Sequence, residues 1–333
     1  MRKETPRAMF KAVVYVTTAL LLGAGVHAQQ MADPTFNTSV EHPAYTRTRP
    51  KVMINEAHSN FHTAAGRYKP FADLLGSDGY EVVPGTRQFQ KESLKDIRVL
   101  VIANAATPNA TDDTSDPAFT EQECDAVRDW VRAGGSLLLL ADHAPFGNAA
   151  ENLAKRFGVE MGKGYVFDLA NSDGGPTILV FFQDNGLLGG HSLLRGRKPS
   201  EEVKRVVAFT GQSLSVPDGA IALMKLSPTA YESRNRKELR ATLEAISKSA
   251  PEQKSSISAD QARAVGNRAQ GLAMKFGKGR VVVMGEASMF SSQVVRSTQG
   301  TQAREVKMGM NVPGNDDKQF ALNVLHWLSG LLK

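Results

Sequence analysis

Short uninterrupted apolar runs recur along the chain, and several end abruptly in an acid, an amide or an imidazole. Lys51-Val52-Met53-Ile54-Asn55 leads into Glu56 and His58; Arg98–Ala103 ends at Asn104; the four leucines 137–140 run into Asp142 and His143; Arg280–Met284 ends in Gly285-Glu286-Ala287-Ser288. Apolar runs of this length bounded by glycine are the pattern of strands buried on both faces, the centre of a parallel sheet. Gly79–Val83 supplies one further strand. Between them the periodicity turns helical. One helix is expected through Tyr68–Leu75, its start later than Thr63 because Pro70 is tolerable only near a helix start, and a short one near Lys91–Asp96. Another runs from Phe119-Thr120 through Val127, Trp130 and Val131, and one more from an Asn148 cap to about Phe157. Strand and helix alternating over short connections predict βαβ units and an α/β, doubly wound, mostly parallel sheet.

The second half is less regular. Phe167–Arg197 is a long segment with apolar content at Ile178–Phe182, expected to be ordered. Strands are expected at Val203–Phe209 and Ile221–Leu226, and an antiparallel hairpin at Gln270–Phe276 and Arg280–Met284 around Gly277-Lys278-Gly279. Residues 233–262 read as a polar surface insertion with an exposed helix over Lys237–Ser247, and Gln319–Leu332 as a closing amphipathic helix. Residues 29–50 lack periodicity and read as an extended leader, which leaves 51–333 as a single α/β domain.

Residues 1–28 read as a signal peptide. Arg2, Lys3, Arg7 and Lys11 precede the apolar Ala12–Val26, and Val26-His27-Ala28 is a small-x-small cleavage pattern. The apolar run is shorter than the roughly 20 residues a membrane span needs, so no stable membrane span is expected after signal cleavage. The expected address is periplasmic or secreted. Removing the four basic and one acidic residues of 1–28 from totals of 40 and 34 leaves 36 and 33, a net charge of +3. With so small an excess, and no basic block or aromatic platform, nucleic acid is excluded as a partner. Cys124 is the single cysteine and stands among Glu121, Glu123 and Asp125, a setting that raises a thiol's pKa and argues against a nucleophile.

If the sheet is parallel, the polar strand ends converge on one edge, outside the carboxyl ends of the strands, where open α/β sheets bind ligands. The catalytic candidates are therefore His143, Asp142, His58 and Glu286, and the ligand-binding candidates are Glu56, His62, Asn104, Ser288 and His191. His58 and His62 are four apart and on a helix would share a face; with Asp142 they form a candidate divalent-metal set, although the order differs from the His-Glu-x-x-His arrangement. No Gly-x-Ser-x-Gly elbow is present. His326 reads as structural.

Val52–His62, Val99–Asn104, Gly134–Gly147, Gly279–Phe290 and Asn315–Leu332 together resemble an uncharacterised exported bacterial family of unknown function with the class I glutamine amidotransferase-like fold. The Lys278–Phe290 block and Asn323-Val324-Leu325-His326-Trp327-Leu328 carry most of the likeness. That family is in turn similar to domains of gliding-motility transport proteins and of an intraflagellar-transport subunit. The resemblance implies a flavodoxin-like sheet with a polar pocket at its carboxyl edge. Amidotransferases of this fold place a cysteine at the strand–helix elbow; here Ala141–Gly147 carries Asp142 and His143 instead, so cysteine-dependent amidotransferase activity is not expected. Relatives of the fold have been suggested to bind carbohydrate. Two functions stay open, beside a third and weaker reading in which the chain is a scaffold whose polar edge is only capping. One is a hydrolase acting on a sugar or cell-envelope glycan, with His143 or His58 as acid or base, Asp142 orienting it, and Glu56 and Glu286 polarising water or a metal. The other is a non-catalytic module that binds a glycan, a peptide or another small molecule in the same pocket.

Overall fold

The computed structural model describes residues 29–112, 116–248, 262–297 and 304–333. In chain order its elements are β1 (Gln29–Ala32), β2 (Lys51–Asn55), α1 (Lys69–Ser77), β3 (Glu81–Gly85), β4 (Val99–Ala103), α2 (Glu121–Ala133), β5 (Ser136–Leu140) and α3 (Phe146–Lys155). There follow β6 (Tyr165–Asp168), β7 (Ile178–Phe182), the single turn α4 (Ser192–Arg195), β8 (Arg205–Phe209), β9 (Ile221–Lys225), β10 (Ala230–Ser233) and α5 (Arg236–Lys248). The chain closes with β11 (Arg263–Ala264), β12 (Ala269–Phe276), β13 (Gly279–Met284), β14 (Ser292–Ser297), β15 (Arg304–Gly309) and α6 (Asp317–Ser329). The signal-peptide residues 1–28 and residues 249–261 of the polar insertion lie outside the described residues.

The central sheet has seven strands in the order β3-β2-β4-β5-β13-β12-β9. The first five are parallel, and β12 and β9 add an antiparallel edge. Numbered along the chain, the parallel five are in the 2-1-3-4-5 order of flavodoxin-like folds. The continuous apolar runs are explained by what they meet on each side. Val99, Val101, Leu138, Leu140 and Val282 pack with Phe71 and Leu74 of α1 and Phe320 and Leu325 of α6. Their alternates Leu100, Ile102, Leu137, Leu139 and Val283 pack with Val127 and Val131 of α2 and Leu153 of α3. Helices therefore cover both faces, and the four leucines of β5 are inaccessible to solvent. Each buried leucine contributes about 1.5–3 kcal/mol relative to exposure.

Helix ends are set locally. Thr120 and Glu123 form a reciprocal capping box at the start of α2. Pro70 lies in the first turn of α1, so this helix begins at Lys69 and not at Thr63; the chain from Glu56 to Tyr68 is bends and turns. No helix forms at Lys91–Asp96, a run of turns too short to sustain one. At the carboxy-terminal end of α6, Arg98 Nε donates to Ser329 O at 2.9 Å, and Arg280 donates to the carbonyls of Trp327 and Leu332. Cations there oppose the negative end of the helix dipole. His326 meets Asp78 at 2.6 Å with both side chains buried, tying α6 to the end of α1.

Two segments differ from expectation. The leader is part of the domain: β1 pairs antiparallel with β14, and Phe36, Val40 and Tyr45 pack against the core. A four-residue strand held by main-chain hydrogen bonds leaves no side-chain periodicity to read. The described part of the polar insertion is likewise attached. Leu239 of α5 is buried with Ala144, Tyr165 and Phe167, so this helix covers the chain leaving β5.

Candidate functional site

The parallel register brings the ends of β2, β4, β5 and β13 to one edge. Asn104, immediately after β4 at a φ of 46° that asparagine tolerates, faces Asp142 after β5. Its Nδ2 donates to Asp142 Oδ2 at 2.7 Å, and its Oδ1 accepts the Asp142 main-chain N–H at 2.9 Å. Asp142 Oδ1 accepts from the Ala287 N–H at 2.6 Å, so the carboxylate joins three strands. Burial raises the Asp142 pKa, and the neighbouring His143 charge and the Asn104 hydrogen bond oppose that shift.

Glu286 is fully buried and turns back on its own chain: Oε1 accepts from Ser288 N at 2.7 Å and Oε2 from Met289 N at 2.8 Å. Its pKa stands well above the usual carboxylate range because of burial and then the nearby Asp142 charge. Ser288, at 7% exposure, starts a single 3-10 turn (Ser288–Phe290) whose main chain is held by Glu286 and Ser291. Glu56 Oε1 accepts from Ala64 N at 2.7 Å. Asn104, Asp142 and the Glu286–Ser288 turn thus sit together, Glu56 stands at the end of β2, and each of the three acids accepts a main-chain N–H.

The histidines are distributed differently. His143 is half-buried and stacks on Tyr165, with ring centroids 4.1 Å apart and an interplanar angle of 17°. Its Nδ1 donates to Ala144 O at 2.7 Å, which leaves Nε2 as the acceptor nitrogen of the neutral ring. Burial lowers its pKa, and Asp142 opposes the shift. Arg236 of α5 lies 5.9 Å from the Tyr165 ring and pairs with Asp112 at 3.5 Å, bringing a cation and an acid to the same corner.

His58 points away from this corner. Its Nε2 meets Glu123 Oε1 at 2.8 Å, its Nδ1 meets Asn55 Oδ1 at 3.1 Å, and its ring lies between Phe89 and Phe119. Glu123 also accepts from Thr120 and Phe89 N; burial alone would raise its pKa, and these hydrogen bonds together bring it below the usual value. His62 lies on the other face of the sheet, 4.5 Å from the Tyr68 ring, with neither ring nitrogen hydrogen-bonded. Desolvation, aided by the Arg67 charge, lowers its pKa to about 3. The expected metal set of His58, His62 and Asp142 is therefore not assembled: the i,i+4 argument needed a helix, and the chain there turns, with Ser59 at φ 45°. Among the described residues no group of three His, Cys, Asp or Glu side chains is placed to hold a metal ion. His191 caps the single turn α4 and packs edge-on against Trp327, away from the carboxyl edge.

Several residues of this edge escaped the sequence reading. Gln212 Nε2 donates to the carbonyls of Ala141 and Asp142 at 2.8 and 2.9 Å, fixing the elbow from the neighbouring chain. Its oxygen would lie 2.4 Å from a Cβ at position 147, so any side chain larger than that of Gly147 displaces the Gln212 amide from the elbow. Tyr68 hydroxyl donates to Ala287 O at 2.7 Å beneath the same elbow. The sequence marks this turn only by Gly211; Thr210 and Gly211 are two consecutive positive-φ residues directly before Gln212. On the solvent side, Phe61 is 39% exposed, packs 5.8 Å from Phe146 and carries Arg67 3.8 Å above its ring.

No family model matches the chain, and no curated protein matches it by sequence. Solved structures align with most of its length. The mmIFT52 N-terminal domain aligns with a TM-score of 0.56 at 14% identity, covering 84% of this chain and 97% of that domain. A ThuA-like protein from Bacteroides uniformis aligns at 0.41 and 14% identity, over 86% of this chain and 95% of its own. A ThuA-like protein from Parabacteroides merdae aligns at 0.41 and 10% identity, over 85% and 91%. At such identities the mmIFT52 likeness is one of fold, in agreement with the sheet order above.

Proposed function

We propose that this protein is an exported binding module that holds a polar small molecule of glycan type at the carboxyl edge of its sheet. The observation that carries this reading is the state of the edge acids. Glu56 and Glu286 accept main-chain N–H groups, and Asp142 accepts Asn104 and the Ala287 N–H, so these acids act as struts for the strand ends. His58 is engaged by Glu123. What faces outward is aromatic and hydrogen-bonding: Phe61 with Arg67, and His143 on Tyr165. Aromatic faces with a few fixed polar groups suit sugar rings, which present C–H faces and hydroxyl edges. Residues 1–28 support a periplasmic or secreted address, which suits a cell-envelope glycan as ligand.

A hydrolytic reading rests on one feature, the adjacency of Asp142 to His143 with Nε2 left as an acceptor. One experiment separates the two. The chain from Gln29 is incubated with a panel of envelope-derived and plant oligosaccharides, and thermal shift and release of reducing ends are both followed. The binding reading predicts a ligand-dependent rise in Tm, reduced in Phe61→Ala and His143→Ala, with no release. Release abolished by His143→Ala replaces it with the hydrolytic reading. No shift with any oligosaccharide at millimolar concentration overturns the glycan assignment.

A further inference from the structure

A cleft of about 340 Å3 opens at the amino edge of the central sheet, at the opposite end of the strands from Asp142 and Glu286. Lys275 pairs there with Arg280 at the start of β13, and Ile221 opens β9 opposite Ala273. Gly190, His191, Ile221, Met274, Lys275 and Trp327 line it. Its volume is within the roughly 300–1,000 Å3 of ligand pockets and is larger than a bare inorganic anion fills.

The charged side chains that line the cleft, Lys275 and Lys333, are cationic, and the main-chain oxygen of Lys333 accepts from the Ser192 hydroxyl. Burial lowers the His191 pKa to about 4, with Arg195, Arg280 and Lys275 adding to the effect, so the ring is neutral at physiological pH. Its Nδ1 accepts from Leu193 N at 3.2 Å, which assigns the proton to Nε2 and makes that nitrogen a donor. Arg195 donates to the Gly190 carbonyl, and Arg280 to the carbonyls of Trp327 and Leu332. Among the described residues neither arginine nor Lys275 has a carboxylate partner. Arg280 and Arg98 are partly balanced by the end of α6; Lys275, which is exposed, is not. Asp218, beside Gly219 on the rim, is exposed to solvent.

We propose that this amino-edge cleft is a second ligand site, distinct from the carboxyl edge, that binds a small organic oxyanion, a carboxylate or phosphate group carried on an apolar body. The oxyanion takes the Lys275 ammonium and the His191 Nε2–H, and the body lies along Ile221, Ala273 and the edge of Trp327. The partly desolvated floor strengthens a charge-assisted contact that would count for little on open surface.

Isothermal titration of the full chain with phenyl phosphate, benzoate and inorganic phosphate, at low and at about 0.3 M salt, tests this. Saturable binding of phenyl phosphate or benzoate is expected, weakened by salt and reduced about tenfold or more in Lys275→Glu. The better of the two probes identifies the oxyanion class. His191→Phe keeps the ring contact with Trp327, removes the donor and is expected to weaken binding several-fold. Lys237→Glu, an equal change of net charge on exposed α5, is expected to leave the affinity unchanged. Absence of binding up to about 10 mM, or equal loss in Lys237→Glu and Lys275→Glu, overturns the site. Inorganic phosphate binding as tightly as phenyl phosphate overturns the organic body.

Discussion

The amide of Asn104 holds Asp142 at two points, donating to its carboxylate at 2.7 Å and accepting its main-chain N–H at 2.9 Å. This pair joins β4 to β5 at the edge where ligands of the fold class bind. Because Asp142 is only 8% exposed, removing the amide strands a buried carboxylate and a buried N–H together. Asn104→Ala is expected to lower stability by about 1–3 kcal/mol, the cost of leaving such groups unpaired. Urea unfolding measures it, and a loss below about 0.5 kcal/mol would show that water replaces the amide at no cost.

His62 makes stability depend on pH. In the unfolded chain the imidazole titrates near 6.5, whereas in the folded protein its pKa is about 3 because burial penalises the charged ring. Between these values the unfolded state binds more protons, so stability falls as pH drops from about 6.5 toward 3. At pH 5 the contribution is about 2 kcal/mol, at roughly 1.4 kcal/mol per pH unit below the unfolded value. His62→Phe removes this term and also removes two unpartnered nitrogens. Urea midpoints at pH 7.5 and pH 5 should therefore converge in the variant by about that amount, and an unchanged difference would locate the pH dependence elsewhere.

The sheet was legible in the sequence because its signal is redundant. The leucines of β5 and the valines of β13 are apolar on both faces, and the two helix layers that bury them supply the reason. The convergence of Asn104, Asp142 and Glu286 followed from parallel strands alone. What could not be read was orientation within the connecting turns. His58 and His62 are four apart, yet the backbone between Glu56 and Tyr68 does not coil, and the two rings enter the cores on opposite faces of the sheet. Gln212 was invisible for a related reason: it acts on the elbow from about 70 residues away along the chain, through a turn that carries no apolar pattern.

Cys124 is expected to be inert in the folded protein. It lies in the first turns of α2 with no solvent exposure, and burial pushes its thiol up to about 12, with Glu121, Glu123 and Asp125 adding to the shift and Arg156 opposing it. A thiol-reactive chromophore at pH 8 should label it only as fast as the helix opens, at least about 1,000-fold slower than in urea. Labelling of the native protein within seconds would mean that α2 is not held against the sheet as described.

His58 and Glu123 illustrate how a histidine at a strand end can be structural. The ring bridges the end of β2 to the first turn of α2, and the same glutamate completes the capping box with Thr120. An anionic side chain at a helix start is favoured by the dipole, and here it also receives the imidazole in a site about 5% exposed on both sides. The energies of such a unit should not add. His58→Ala and Glu123→Ala are each expected to cost about 1–3 kcal/mol, the second including about 1 kcal/mol for the lost cap. The double variant should cost less than their sum by about 0.5–2 kcal/mol. A double-mutant cycle by urea unfolding at pH 7.5 reads this directly. Strict additivity would mean that the contact contributes nothing, returning His58 to the pool of groups available for a ligand at the carboxyl edge.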